Sequence, residues 1–168
     1  MPATYDAIAS STLGTATSTI TFSSISSGYT DLKLVMSFTT ATSGQIALVR
    51  YNNDSGSNYY GTYIRGDGST ASGGFPGVVT TIYVPNYTNN DGTTPTTGIV
   101  ELFSYTNNKK KMSLTTVAND KNTSGTTQIE RSVQLWNSTA TVNRIDIICS
   151  SGNFNIGSQF TLYGILKA

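Results

Sequence analysis

The sequence predicts an all-β protein, a single jelly-roll-like antiparallel β-sandwich, and three observations predict it. Apolar and polar residues alternate with a period of two along almost the whole chain, the spacing at which successive side chains of a strand fall on opposite faces. The alternating runs are short and are divided at near-regular intervals by clusters of Gly, Asn, Ser and Asp, the pattern of a sandwich or barrel and not of a parallel sheet. With 21 Ser, 28 Thr, 16 Gly and 10 Tyr among 168 residues, the composition favours strands and turns. No segment carries a helical period.

Taken in order, the first runs lie near residues 5–13 and 18–25. "DLKLVMSFTT" follows and is the cleanest, with Leu32, Leu34, Met36 and Phe38 pointing one way and Lys33, Val35 and Ser37 the other, a half-buried strand. Further runs lie near 45–51, 59–65, 78–85, 98–105, 111–118, 128–136 and 142–149. Turn clusters such as "SSGYT", "NNDSGSN", "NDKNTSG" and "SSGNFNIG" separate them. The last run, 159–166, puts Phe160, Leu162 and Leu166 on one face and Tyr163 and Ile165 on the other. Both faces want cover, so this strand is expected inside a sheet. Residues 52–77, rich in Gly and Ser, are expected to form a long excursion at one end of a single domain spanning 1–168, and loops of that length are commonly functional. No internal repeat, heptad or change of composition marks a second domain.

Charged residues make up 11% of the chain and the net charge is +1, which leaves no electrostatic footprint for nucleic acid or an anionic membrane. Neither is expected as a partner. No run approaches the ~18 apolar residues of a membrane span, and "MPATYDAIAS" shows no secretory leader, so the expectation is a soluble protein made in a cytoplasm. Cys149 shares a strand face with Ile145 and Ile147 and reads as a small buried hydrophobe.

Histidine is absent, which removes the commonest general base and the commonest zinc ligand. No catalytic set, metal or cofactor is expected. A glycosidase would need two facing carboxylates, and Glu101 with Glu130 is the pair a sandwich could bring together. Yet "IVELF" and "QIERSV" also read as strands whose polar face meets water. Asn52, Asp54, Gly56 and Asn58 alternate like the start of a calcium loop but lack its closing bidentate Glu, so turn chemistry explains them. "RGDG" at Arg65–Gly68, and the sequons at Asn53, Asn86, Asn122 and Asn137, follow from a chain rich in Gly, Asn and Thr. Lys109–Lys111 read as a solvated turn that discourages edge pairing. Trp136 reads as a buried cap on the sandwich.

The candidate surface-recognition residues are Tyr59, Tyr60 and Tyr63. Tyrosine is the usual material of interfaces and sugar platforms. Alternation sets Tyr59 and Tyr63 on one face and Tyr60 on the other, so part of the group belongs to the core.

Three segments, "ITFSSISSGYTDLKLVMSF", "YNNDSGSNYYGTYIRGDGSTAS" and "QLWNSTATVNRIDIICSSGNFNIGSQFTLYGI", resemble in that order a group of small virion proteins of tailed bacteriophages, common among phages of aquatic bacteria. "YTDL", "NNDSGSNY" and "SGNFNIGSQFTLYGI" carry the likeness most specifically, and the stretch from about Gly77 to Asn122 carries it least. The resemblance implies a jelly-roll sandwich that works by assembly and surface recognition, made in the host bacterial cytoplasm and located in the virion. It implies no catalytic residues. The expected function is a non-enzymatic capsid decoration protein on the phage head, with a tail-fibre or tail-tip receptor-binding, carbohydrate-binding module as the alternative. The expected partners are further copies of the chain, as a homotrimer, the major capsid protein or other virion proteins, and a host-surface glycan in the alternative.

Overall fold

A computed structural model describes residues 5–75, 77–84, 93–120 and 127–166. All regular structure in them is strand: β1 (Tyr5–Thr12), β2 (Thr19–Phe22), β3 (Asp31–Phe38), β4 (Ala47–Tyr51), β5 (Tyr59–Gly66), β6 (Ala71–Gly74), β7 (Val78–Val79), β8 (Ile82–Val84), β9 (Thr96–Phe103), β10 (Lys111–Asp120), β11 (Thr127–Trp136), β12 (Ile145–Cys149) and β13 (Gln159–Ile165). Among the described residues no helix is long and apolar enough to cross a membrane.

Two antiparallel sheets pack into a sandwich. The large sheet runs β1-β13-β3-β9-β10-β11-β5-β6, with β7 also paired to β5, and the small sheet runs β2-β12-β4-β8. From β2 onward the chain crosses between sheets at each step: β2 small, β3 large, β4 small, β5 to β7 large, β8 small, β9 to β11 large, β12 small, β13 large. This is the winding of a jelly roll in which one strand is expanded into the meander β9–β10–β11.

The core lies between the sheets. Leu34, Met36 and Phe38 of β3 meet Phe160 and Leu162 of β13 and Val49 of β4, all buried, each side chain contributing about 1.5 to 3 kcal/mol. Phe154 closes this end, its ring 5.2 Å from Phe38 and 5.1 Å from Phe160 in edge-on contact. As the two-faced pattern predicts, β13 is internal, held between β1 and β3 with Leu162 opposite Leu34 and Tyr163 opposite Lys33. Its outward residues Tyr163 and Ile165 are half-buried. Gly164 is required here, because the Tyr29 ring occupies the space a Cβ would take.

Two boundaries differ from the sequence reading. The run expected at 78–85 divides: β7 pairs with β5 in the large sheet and β8 with β4 in the small one, so the chain changes sheets at Thr80 and Thr81. The stretch 52–77 contributes β5 and β6 to the large sheet, with Tyr63 opposite Gly74 and Gly66 opposite Ala71. Ala71–Gly74 has no apolar alternation to read, and its pairing with β5 alone makes it a strand.

Candidate interaction surface

The far half of the large sheet, β10–β11–β5, is anchored on its inner side by polar and aromatic groups. Trp136 at the end of β11 stacks on Tyr59 at the start of β5, rings 6.4 Å apart and nearly parallel, and meets Tyr51 edge-on at 5.7 Å. The indole Nε1 donates to Asp54 Oδ2 at 2.7 Å. Asp54 also accepts from the Gly56 amide at 2.9 Å and from Asn58 Nδ2 at 2.9 Å, and these bonds hold its carboxyl below the ordinary range against the cost of desolvation. The Tyr59 hydroxyl accepts from the Tyr51 amide at 3.1 Å. "NNDSGSN" is thus a turn, as its composition predicts, and also a clamp between loop and core, which its composition does not show.

Lys111 shows the same economy and corrects its reading as part of a solvated turn: Lys109 and Lys110 are exposed, but Lys111 is buried. Its Nζ donates to the carbonyls of Asn107 at 2.5 Å, Lys109 at 2.6 Å and Thr139 at 3.1 Å. Three acceptors match the three donors of an ammonium. Burial lowers its pKa from the ordinary lysine value. Gln134 works as a surrogate strand: its amide accepts from Tyr83 N at 2.8 Å and donates to Tyr83 O at 2.6 Å, pairing the edge of β8 to the large sheet.

These anchors fix the phase of β10 and β11, and the phase is inverted relative to β3. On β11 the buried positions are Gln128, Glu130, Ser132, Gln134 and Trp136, while Ile129, Val133 and Leu135 face outward. The polar face of "QIERSV" therefore does not meet water, contrary to its reading as a solvated face. Glu130 shows the cost, since its Oε1 has no hydrogen-bond partner and burial raises its carboxyl to about 7, with the Arg65 charge on β5 opposing. A slip of one residue would turn the apolar side inward. It would also expel Trp136, Gln134 and Lys111 with all their bonds.

The outer face that results is broad and apolar. Rows cross it from strand to strand: Phe103–Met112–Leu135–Tyr60, then Glu101–Leu114–Val133–Thr62, then Ile99–Thr116–Arg131–Ile64, then Thr97–Ala118–Ile129–Gly66. Ile64 is 69% exposed, Ile129 57% and Met112 51%. The charges within these rows are Arg131, which has no carboxylate partner among the described residues, and Glu101, paired with Lys33 at 3.2 Å.

The structure distributes the sequence-predicted residues rather than gathering them. Tyr59 is fully buried and its hydroxyl is committed to backbone. Tyr60 stands half-buried on the outer face. Tyr63 points to the inner side, half-buried, with the Arg65 guanidinium 5.8 Å from its ring. Glu101 and Glu130 lie on opposite faces of one sheet, so they cannot act as a carboxylate pair. Asp67 of "RGDG" closes the β5–β6 turn by accepting from Thr70 N at 2.7 Å and Ser69 N at 3.0 Å. The Cys149 thiol is buried, as expected, and donates to Ser151 O at 3.1 Å. Asn86 and Asn122 lie outside the described residues. Among the described residues no cluster of His, Cys, Asp and Glu could hold a metal. Sequence reasoning missed Ile129, Val133 and Met112 as surface residues. Their alternation was legible, but nothing local marked that side as outward. No family model, curated protein or solved structure matches the chain.

Proposed function

We propose that the chain is a non-enzymatic structural protein of a tailed-phage particle, a capsid decoration protein seated on the head surface. The observation that carries this reading is the inverted phase of β10 and β11, which spends buried space on Gln, Glu and Lys and leaves Ile129, Val133 and Met112 outside. Each large apolar side chain left in water forgoes about 1.5 to 3 kcal/mol, so a surface of this kind is the signature of packing against other protein. The resemblance of "YTDL", "NNDSGSNY" and "SGNFNIGSQFTLYGI" to phage virion proteins supplies the kind of assembly, with the major capsid protein or another virion protein as partner. A compact sandwich repeated over a shell needs no strong single site, because weak contacts multiply. Mass spectrometry of purified particles tests the role: copy number on the order of hundreds per particle is expected of a shell component, and about a dozen would move the protein to the tail.

A second reading, a tail-fibre or tail-tip module that binds host-surface glycan, is favoured by one observation. A cleft of about 530 Å³ between β1 and the β2–β3 loop sets Tyr29 beside Asp6, Ser23 and Ser24, a ring and polar groups of the kind that hold sugars. Retention on a glycan array that Asp6→Asn abolishes would favour it.

A further inference from the structure

We infer that the outer face of β3–β9–β10–β11–β5 is occupied by a second copy of this chain, the two copies packing sheet on sheet about a two-fold axis. The inference rests on the reading of that face as a docking surface, and not on the particle that the protein joins.

Area favours this occupant. Five strands about 4.8 Å apart and four outward positions about 6.7 Å apart span roughly 24 by 27 Å, or about 650 Å² before side-chain relief is counted. A standard interface buries about 800 Å² per partner, so the flat area of this face comes close to one, with side-chain relief to add. The face is also one continuous patch. A trimer, expected from the resemblance, needs two different patches that fit each other, whereas a single patch suits the self-complementary contact of a dimer.

Charge supplies the register. Arg131 on β11 has no carboxylate partner among the described residues, and Glu101 on β9 is two strands away with β10 between them. The point midway falls on β10 between Leu114 and Thr116. A two-fold axis through that point, lying in the plane of the interface and perpendicular to the line from Arg131 to Glu101, sets Arg131 of each copy against Glu101 of the other. Both charges then enter the interface paired. On the spacings above, the same operation lays Ile64 opposite Phe103 and Thr62 opposite Met112, while Ile129 falls against the aliphatic stem of Lys33, the neighbour of Glu101 on β3.

Sedimentation of the full chain in free solution tests this. A mass of two chains at micromolar concentration is expected. Val133→Glu should weaken the dimer at least about tenfold with circular dichroism and thermal midpoint of the monomer unchanged. Arg131→Glu should weaken it as well, and adding Glu101→Arg in the same chain should restore it. A mass of one chain or of three, or a dimer indifferent to both single variants, overturns the inference. A monomer found at high copy number on particles would sink the dimer and leave the decoration role standing. A dimer absent from particles would do the reverse.

Discussion

Strands β3 and β11 belong to the same sheet, are both strictly alternating, and bury opposite kinds of side chain. On β3 the inward residues are Leu32, Leu34, Met36 and Phe38, each no more than 2% exposed, and the outward ones include Lys33 and Ser37. On β11 the inward residues are Gln128, Glu130, Ser132 and Gln134, no more than 6% exposed, and the outward ones include Ile129 at 57% and Val133 at 42%. Hydrophobic burial sets the phase of β3. The phase of β11 is set by its last residue, Trp136, and by hydrogen bonds from Gln134 that a reversed strand could not make. Alternation thus tells that a strand has two faces, and the anchors decide which is inside. Where the anchors and the hydrophobic pattern disagree, an apolar face is left for a partner.

The comparison is broken most directly on β3. Leu34→Ala should cost about 2 to 5 kcal/mol, the range for a fully buried leucine in a packed core, read by urea unfolding. A loss below about 1 kcal/mol would mean that this half of the sandwich is not the principal core.

An intermediate effect is expected from the inner face of β11, through pH. The folded chain keeps the Glu130 proton up to about 7, while the unfolded chain releases it near 4.5. The folded state therefore binds more protons between these values, so the contribution of this group to stability is fullest below pH 4.5 and is lost as pH rises through 7. Discounted for solvent screening, the loss across the window should be about 1 to 2 kcal/mol. Glu130→Gln should flatten this slope and stabilise the chain at pH 8. An unchanged slope in that variant would show that Glu130 is not the group responsible.

The smallest effect belongs to the outer face. Ile129→Thr, measured at a dilution where the chain is monomeric, should change stability by no more than about 0.5 kcal/mol. A loss comparable to that of Leu34→Ala would place Ile129 in the monomer's own core and erase the contrast between the two strands.

Much of the fold was legible because period-two patterning is a local property. The runs at 5–13, 45–51, 59–65, 111–118, 128–136 and 159–166 all became strands, and the two-faced pattern of the last one foretold its internal place beside β3. The Tyr trio was less legible as a site. Its split across the sheet followed from alternation, but the burial of Tyr59 under Trp136 and Asp54 depends on residues 77 and 5 positions away along the chain. β6 was illegible, because "ASGG" carries no pattern until β5 supplies its hydrogen bonds.

The sequence by itself determined the class of the protein: short alternating strands, turn residues between them, no histidine and few charges, all properties of neighbours in the chain. Only the tertiary structure decided which face of each strand is inside. That choice rests on long-range bonds: Trp136 to Asp54, Gln134 to Tyr83, and Lys111 to the carbonyl of Thr139. A strand turned over keeps the same local propensities, so no local preference separates the two arrangements, and the contacts that do so join residues dozens of positions apart.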